Sequence, residues 1–383
     1  MKHFLLFQLK SVCYDSYTYF SDSVANALRA LGHKVEIFSA QREPLDNMEK
    51  YIGSHFDAII DFNSELSKLR MEDDSYFLDQ IDAPFYDVIL DHPLYHHDML
   101  KQTPKNFHVL CLDKNHKSYI EEHYPHISSV HVWAMTGEDI CPTNSAYPSK
   151  NIEILFSGSY TDFRQAEESI SNIPSFIGDL TKDLISLMKN TPSLSQENAL
   201  KQLLPSLDEI VEETFPLHMQ ACFLCDTYLR AFRRENILMQ IAKADLPLTL
   251  CGNGWRNSPF VDFKNIQIID DTSFRDTFSL FRNSKITLNI MPGFCNGTHD
   301  RIYSAMLNHS LCLTDATPIL QQQFTHSKEL CFYDVLDTDG LIQQLYHLLA
   351  SPEEIESISK KGYLCAKENH AWQARVAYLL TIV

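Results

Sequence analysis

Residues 288–307, Leu288-Asn289-Ile290-Met291-Pro292-Gly293-Phe294-Cys295-Asn296-Gly297-Thr298-His299-Asp300-Arg301-Ile302-Tyr303-Ser304-Ala305-Met306-Leu307, read as an apolar strand end, a loop with two glycines, and a helix that Thr298 is placed to cap. A strand feeding a helix through a short loop belongs to a parallel sheet with crossover helices. It also points free backbone N–H groups and the positive helix end at the carboxyl edge of the sheet, where a diphosphate binds. Arg301 falls in the first helical turn. A cation there costs from a few tenths to about 1 kcal/mol unless an anion lies between it and the helix end. Two readings follow: a bound phosphate supplies the anion, or Asp300 offsets the charge in a purely structural way.

The same alternation extends on both sides. Strands are expected at 152–156, 246–250, 266–269, 286–290 and 311–313, with helices near 274–281 and 301–307. The first strand leads into Ser157-Gly158-Ser159, the second into Gly252-Asn253-Gly254-Trp255, and the last ends in Thr314-Asp315. Some ninety residues separate the first two strands, with apolar spacing at Phe176, Leu180, Leu184 and Leu187, then Leu200, Leu203, Leu207 and Ile210, then Tyr228, Phe232 and Ile237. That is too much for one crossover helix and predicts an insertion of three or four helices at about 165–240. Arg230, Arg233 and Arg234 within it read either as a solvated face or as part of an anion pocket. From Ser351 onward the chain reads as helical, with Pro352 and two glutamates marking the start.

The amino-terminal half repeats the pattern. Strands are expected at 4–9, 35–38, 56–60, 86–90, 108–112 and 130–133, with helices at 23–31, closed by Gly32, and 115–123. Asp61, Asp91 and Asp113 follow three of these strands. Polar residues at that edge face the ligand crevice of an open parallel sheet, although aspartate after a strand also serves as turn former or helix cap. The polar, proline-bearing stretch Ala146-Tyr147-Pro148-Ser149-Lys150 suits a linker. The expected organisation is α/β: a Rossmann-like domain at 1–150, a second at 151–355 holding the insertion, the two facing a cleft, and a helix at 356–383 returning toward the first.

Composition narrows the function classes. With 32 basic against 50 acidic residues and a net charge of −18 over 383 residues, no basic stripe is available for nucleic acid. Only 11 glycines occur, and neither G-x-G-x-x-G nor G-x-x-x-x-G-K-[ST] is found, which disfavours NAD enzymes and P-loop NTPases. Ten scattered cysteines include one C-x-x-C, Cys222 and Cys225, with no second pair to complete a zinc site; they read as thiols of a reducing cytoplasm. The start of the chain lacks a signal-length apolar run, and nowhere do about 18 apolar residues follow one another. A cytoplasmic location is expected, and a homo-oligomer is possible.

The segment L-N-x-x-P-G-F-x-N-G-T-H-D-R-x-x-S-A-M-L, followed by L-C-L-T-D, resembles the donor-binding segment of the CgeB-like (spore-maturation) group of GT-B glycosyltransferases. The resemblance extends to G-N-G-W at 252–255, Asn283-Ser284-Lys285, Ala30-Leu31-Gly32-His33-Lys34-Val35, and Asp91-His92-Pro93-Leu94-Tyr95-His96-His97, covering roughly 1–160 and 246–375. It implies a GT-B fold and a nucleotide-diphosphate sugar as donor. Asn296, Gly297, Thr298 and Arg301 would surround the diphosphate, Gly158, Gly252, Asn253, Gly254 and Trp255 the nucleotide or ribose, and Asn289, His299 and Asp300 would belong to the same donor site. Many relatives carry a glutamate three residues after the arginine to hold the ribose; here that residue is Ser304, and Asp315 is the candidate substitute. Trp255 would either stack on a base or close a loop over the core.

Glycosyl transfer needs a base for the acceptor hydroxyl if it inverts, or a group stabilising the oxocarbenium-like state if it retains. Asp91, His92, His96 and His97 concentrate titratable groups at one strand end, Asp91 and His92 closest to it. A metal site is disfavoured, because the adjacent His96 and His97 do not easily point at one ion. The expectation is a metal-independent hexosyltransferase needing no cofactor beyond its donor, with an unidentified glycan, protein or small-molecule acceptor. A sugar-nucleotide epimerase or phosphorylase-like enzyme, or a non-catalytic nucleotide-sugar-binding protein, would suit the same fold.

Overall fold

The computed structural model describes residues 1–9, 14–142, 147–204, 210–270 and 272–383. Leu207 and Ala146 of the expected insertion and linker lie outside the described residues. The chain divides into two compact units, one of Met1–Met135 with Trp372–Val383, the other of Thr136–Ala371.

The first unit is a six-stranded, all-parallel sheet of β1 (His3–Gln8), β2 (Lys34–Ser39), β3 (Ala58–Phe62), β4 (Phe85–Ile89), β5 (Phe107–Cys111) and β6 (Ser129–Val132), in the order β2-β1-β3-β4-β5-β6. Both faces are covered, so β3 and β4 are buried at every position, as a central parallel strand must be. The helix Ser16–Ala30 begins well before the expected 23, because Tyr19 and Phe20 extend its buried stripe back through Val24 and Leu28. Gly32 follows its end with φ +85°, the left-handed conformation that favours glycine.

Residues 372–383 complete this unit. The Trp372 ring packs 6.0 Å from Phe20, 6.3 Å from Tyr19 and 6.4 Å from Trp133. Its indole N–H donates to the Tyr19 hydroxyl at 3.1 Å, the Trp133 indole to the Arg375 carbonyl at 2.9 Å, and the Tyr86 hydroxyl to the Ile382 carbonyl at 2.8 Å.

The second unit holds β7 (Ile152–Ser157), β8 (Leu248–Cys251), β9 (Ile266–Ile269), β10 (Ser284–Asn289), β11 (Leu311–Asp315) and β12 (Cys331–Tyr333), again all parallel, in the order β12-β11-β10-β7-β8-β9. Order reverses between β7 and β10, so the crevice at their carboxyl ends is the switch point where such sheets bind ligands. Between β7 and β8 the described residues form five helices: Phe163–Ser171, Ser175–Asn190, Gln196–Leu203, Ile210–Ala221 and Phe223–Lys243. The carboxyl-terminal helical region is two helices rather than one. Pro352–Asn369 stays with the second unit, where Gly362 lies so near the Glu329 carbonyl that a Cβ would come within 2.3 Å of it, and Trp372–Leu379 belongs to the first. Among the described residues no helix is long and apolar enough to cross a membrane. The cysteines among them are free thiols, Cys222 and Cys225 buried.

Candidate functional site

In the second unit, β10 delivers Asn289 to the switch point and the loop that follows turns into the helix Asp300–Leu307. Asn289 is fully buried, donating from Nδ2 to Thr314 Oγ1 at 2.9 Å and accepting at Oδ1 from Arg301 Nη1 at 2.7 Å. Arg301 is only 8% exposed, and among the described residues no carboxylate forms an ion pair with it. Burial lowers its pKa, with Asp300 acting in the opposite sense. A guanidinium withdrawn from water on a single neutral partner is an expensive arrangement for the protein alone. Asp300 therefore does not neutralise Arg301 through a salt bridge. Burial instead raises its own carboxyl to about 6, while Arg301 pulls the other way.

The helix cap differs from the sequence expectation. His299, in extended backbone, accepts the Arg301 N–H at Nδ1 over 3.2 Å, while Thr298 lies one residue outside the cap. The helix begins at Asp300, a residue earlier than the apolar spacing indicated, and its cap is one residue later than the expected Thr298. Thr298 is 2% exposed and its Oγ1 has no hydrogen-bond partner. Burial, then Arg301 and Arg234, hold the His299 imidazole well below its ordinary pKa. The carbonyl of Gly297 accepts from Thr317 Oγ1 at 2.9 Å, which ties the loop to the end of β11, and Asn296 is half-buried beside it.

Across the crevice, the loops after β7 and β8 interlock. Gly158 donates to the Cys251 carbonyl at 2.8 Å, and Tyr160 to the Asn253 carbonyl at 2.8 Å. A Cβ on Gly252, at φ +131°, would lie 2.8 Å from the Gly158 oxygen, and one on Gly254, at φ +88°, 2.7 Å from the Tyr160 oxygen. Trp255 is fully buried with its indole N–H on the Gly158 carbonyl at 2.8 Å, packed on Phe156, Tyr160 and Phe260. It closes the loop over the core and offers no face for a base. A Cβ on Gly158 would approach Arg301 Nη2 to 3.3 Å, so this backbone lies directly against the guanidinium.

The helix Phe223–Lys243 settles the two readings of its arginines differently for each. Arg234 bonds the Ser159 carbonyl and lies 5.4 Å from the Phe156 ring, which Arg301 approaches to 5.3 Å. Arg233 donates to the Met188 carbonyl at 3.0 Å and lines a pocket of about 270 Å³ with Met291, Phe294, Asp315 and Tyr333. Arg230 instead pairs with Asp226 at 3.0 Å. Asp315 accepts the Met291 N–H at 3.0 Å, and burial raises its carboxyl to about 6. The Tyr333 hydroxyl donates to the Asn289 carbonyl at 3.0 Å. Ser304 is buried, its Oγ donating to the Asp300 carbonyl, and a Cβ on Gly137 would fall 2.2 Å from that Oγ. Backbone occupies the space a longer side chain at 304 would need.

In the first unit, Asp91 follows β4 and accepts at Oδ2 from Asn63 Nδ2 at 3.0 Å. Asn63, at φ +43°, also donates to the Tyr17 hydroxyl at 2.6 Å and accepts the Leu90 N–H at 2.8 Å. His92 caps the turn Pro93–His96 by accepting the Leu94 N–H at Nδ1, 3.0 Å, and its ring stands 4.5 Å from that of His116. His96 feels Asp91 and His92, but burial is the larger influence and lowers its pKa; its Nε2 is buried without a partner. His97 is set apart. It is buried with Nδ1 2.9 Å from the Tyr124 hydroxyl, at the point where the chain turns helical. Asp61 and Asp113 have local tasks: Asp61 accepts from the Phe62 N–H and Ser64 Oγ, and Asp113 caps the helix Lys114–His123. Among the described residues no three His, Cys, Asp or Glu side chains gather as a metal site would require.

Sequence reasoning missed Asn63, Asp87 and Tyr333. Asp87 lies beside Asp61 in register, is fully buried and accepts the Ser64 N–H at 3.0 Å; burial, with Asp61 next to it, pushes its carboxyl well above the ordinary value. An aspartate inside an apolar strand was a visible signal. A lone asparagine after a strand, or a tyrosine in a three-residue strand, was not.

Comparison with known proteins adds independent findings. Residues 233–381 match a family model described as glycosyl transferase-like. A search of curated proteins finds no match by sequence. Sucrose-phosphate synthase from Thermosynechococcus elongatus superposes with a TM-score of 0.56 at 9% identity, covering 100% of this chain and 98% of that one. An alpha-glucosyltransferase in complex with UDP-glucose and DNA containing an abasic site gives 0.57 at 12%, covering 100% and 99%. The Anabaena protein HepE in complex with UDP and glucose gives 0.51 at 9%, covering 100% of both chains. Residues 233–381 thus carry the glycosyl transferase-like signature, and the whole chain has the GT-B glycosyltransferase fold.

Proposed function

We propose that the protein is a metal-independent, hexosyltransferase-type glycosyltransferase of the CgeB-like group, moving a sugar from a nucleotide-diphosphate sugar to an acceptor hydroxyl. The observation that carries this reading is the buried Arg301 guanidinium, which has Asn289 for a neighbour and, among the described residues, no carboxylate partner. A diphosphate at the start of the Asp300–Leu307 helix supplies the missing anion, and the Thr298 hydroxyl, buried without a partner, is a donor for its oxygens. As the sugar–oxygen bond breaks, negative charge grows on the leaving diphosphate. Arg301, Arg234 and the helix end stabilise it with dipoles and charges already in place. The nucleoside extends into the pocket lined by Asp315 and Tyr333. Asp91, whose carboxylate Asn63 holds, takes the acceptor proton, with His92 beside it. A thermal-shift panel of nucleotide sugars, followed by product analysis with the best one and a set of acceptors, tests the proposal. Stabilisation by a nucleotide sugar together with a glycosylated product is expected; a panel without any shift refutes it.

A further inference from the structure

The pocket of about 270 Å³ beside the donor loop has two walls of different origin. Met291, Asp315 and Tyr333 lie at the carboxyl ends of β10, β11 and β12, whereas Pro192, Ser193 and Arg233 come from the helical insertion. The volume falls just below the range of about 300–1,000 Å³ usual for small-molecule sites, so the pocket suits one ring system and not a chain of them. Two hydroxyls on its walls are already engaged: Tyr333 donates to the Asn289 carbonyl at 3.0 Å and Thr317 to that of Gly297 at 2.9 Å. Arg233 is different. Its guanidinium donates from Nη2 to the Met188 carbonyl at 3.0 Å, and among the described residues no carboxylate pairs with it, whereas Arg230, one turn earlier, pairs with Asp226. Most of its N–H donors are therefore available to a ligand. Asp315 stands across from it. One carboxylate oxygen accepts the Met291 N–H at 3.0 Å, and Arg233 lowers the pKa of this carboxyl against the larger effect of burial, so the two charges sense one another without forming an ion pair. A donor-only group and an acceptor-only group thus line one small cavity with a gap between them.

We infer that Arg233 and Asp315 read the base of the donor nucleotide: the guanidinium donates to a ring carbonyl and the carboxylate accepts the adjoining ring N–H, so the protein selects a base with a lactam edge (uracil, thymine or guanine). Adenine and cytosine offer an amino group beside a bare ring nitrogen. That edge puts donor against donor and acceptor against acceptor, and it leaves both protein groups unpaired. The insertion then supplies a specificity residue, and Asp315 serves the base in place of the ribose. The inference rests on the donor reading above, which brings the nucleoside to this pocket.

The test is calorimetric titration of the full chain at pH 7.5 with the diphosphates of uridine, thymidine, guanosine, adenosine and cytidine. These ligands share the diphosphate, so the ratios of their affinities report the base, and the individual values show which lactam base is preferred. At least one of the first three is expected to bind ten-fold or more tighter than both the adenosine and the cytidine diphosphate. Arg233→Met is expected to cut that ratio below three-fold. Because this variant also loses the bond to Met188, Arg233→Gln is the second probe: its amide keeps an N–H for that carbonyl but can donate or accept toward a base, so the ratio should fall here too. Equal binding of all five, a preference for adenosine or cytidine diphosphate, or a lactam preference retained in both variants overturns the inference. Binding without discrimination leaves the donor reading standing and refutes only the role of Arg233 and Asp315; no binding of any diphosphate refutes the donor reading and this inference with it.

Discussion

Replacing Arg301 by methionine separates an anion site from a structural arginine, because the two accounts predict different melting of the ligand-free protein. Methionine keeps most of the stem that packs near Phe156 but deletes the charge and the 2.7 Å bond to Asn289. Leaving the Asn289 oxygen unpaired costs about 1–3 kcal/mol. Removing a buried guanidinium that lacks a carboxylate returns an amount of similar or larger size. The ligand-free variant should therefore melt within a few degrees of wild type, at about 2–4 °C per kcal/mol for a unit of this size. Binding behaves differently. Loss of a charge-assisted bond to the diphosphate costs about 2–3 kcal/mol, which is roughly 30- to 150-fold in Kd. Calorimetry with nucleoside diphosphates and melting without ligand give the two numbers. An unchanged Kd, or a ligand-free melt lowered by 10 °C or more with affinity retained in the folded fraction, would refute the anion-site argument.

Asp87→Asn addresses the pH dependence of stability. The folded-state pKa of Asp87 is raised by burial, so its contribution is complete below about 3.9 and is lost as pH rises toward the folded value, by up to about 1.4 kcal/mol per unit; urea midpoints of the variant should gain on wild type as pH rises above about 4. Gly252→Ala places a Cβ 2.8 Å from the Gly158 oxygen at φ +131° and should lower stability by about 1–3 kcal/mol, read as a fall in melting temperature. Thr298→Val removes a buried hydroxyl without a partner, so ligand-free stability should hold or rise while nucleotide-sugar affinity falls about three- to ten-fold by calorimetry. Asp91→Asn should reduce kcat at least 100-fold in a product-formation assay with nucleotide-sugar affinity unchanged; wild-type turnover would remove Asp91 from the mechanism.

The alternating α/β pattern was legible because strands buried on both faces are written as unbroken apolar runs, as in Phe4-Leu5-Leu6-Phe7 and Ile154-Leu155-Phe156, whatever surrounds them. Strand β12 was not legible: three residues, Cys331-Phe332-Tyr333, are too few to show a period. In the candidate donor site, Arg301 stood out because a cation contradicts the helix dipole, a local conflict visible in sequence. The orientation of Arg233 and Arg234 depends on how a distant helix packs against the loop after β7, and spacing within that helix contains nothing about it. His97 misled because consecutive histidines look equivalent in sequence, whereas the start of a helix turns neighbouring side chains about 100° apart.

The second connection between the units bears on how the chain is made. During synthesis the first unit lacks the indole of Trp372 and the backbone partners of Tyr86 and Trp133 until the whole second unit has left the ribosome. Its sheet therefore waits, with the surface around Tyr19 and Phe20 uncovered, for a segment separated from it by an entire domain. The slow step of maturation should be this late closure, and a mutation that delays folding of the second unit would leave the first one vulnerable to proteases or chaperone capture.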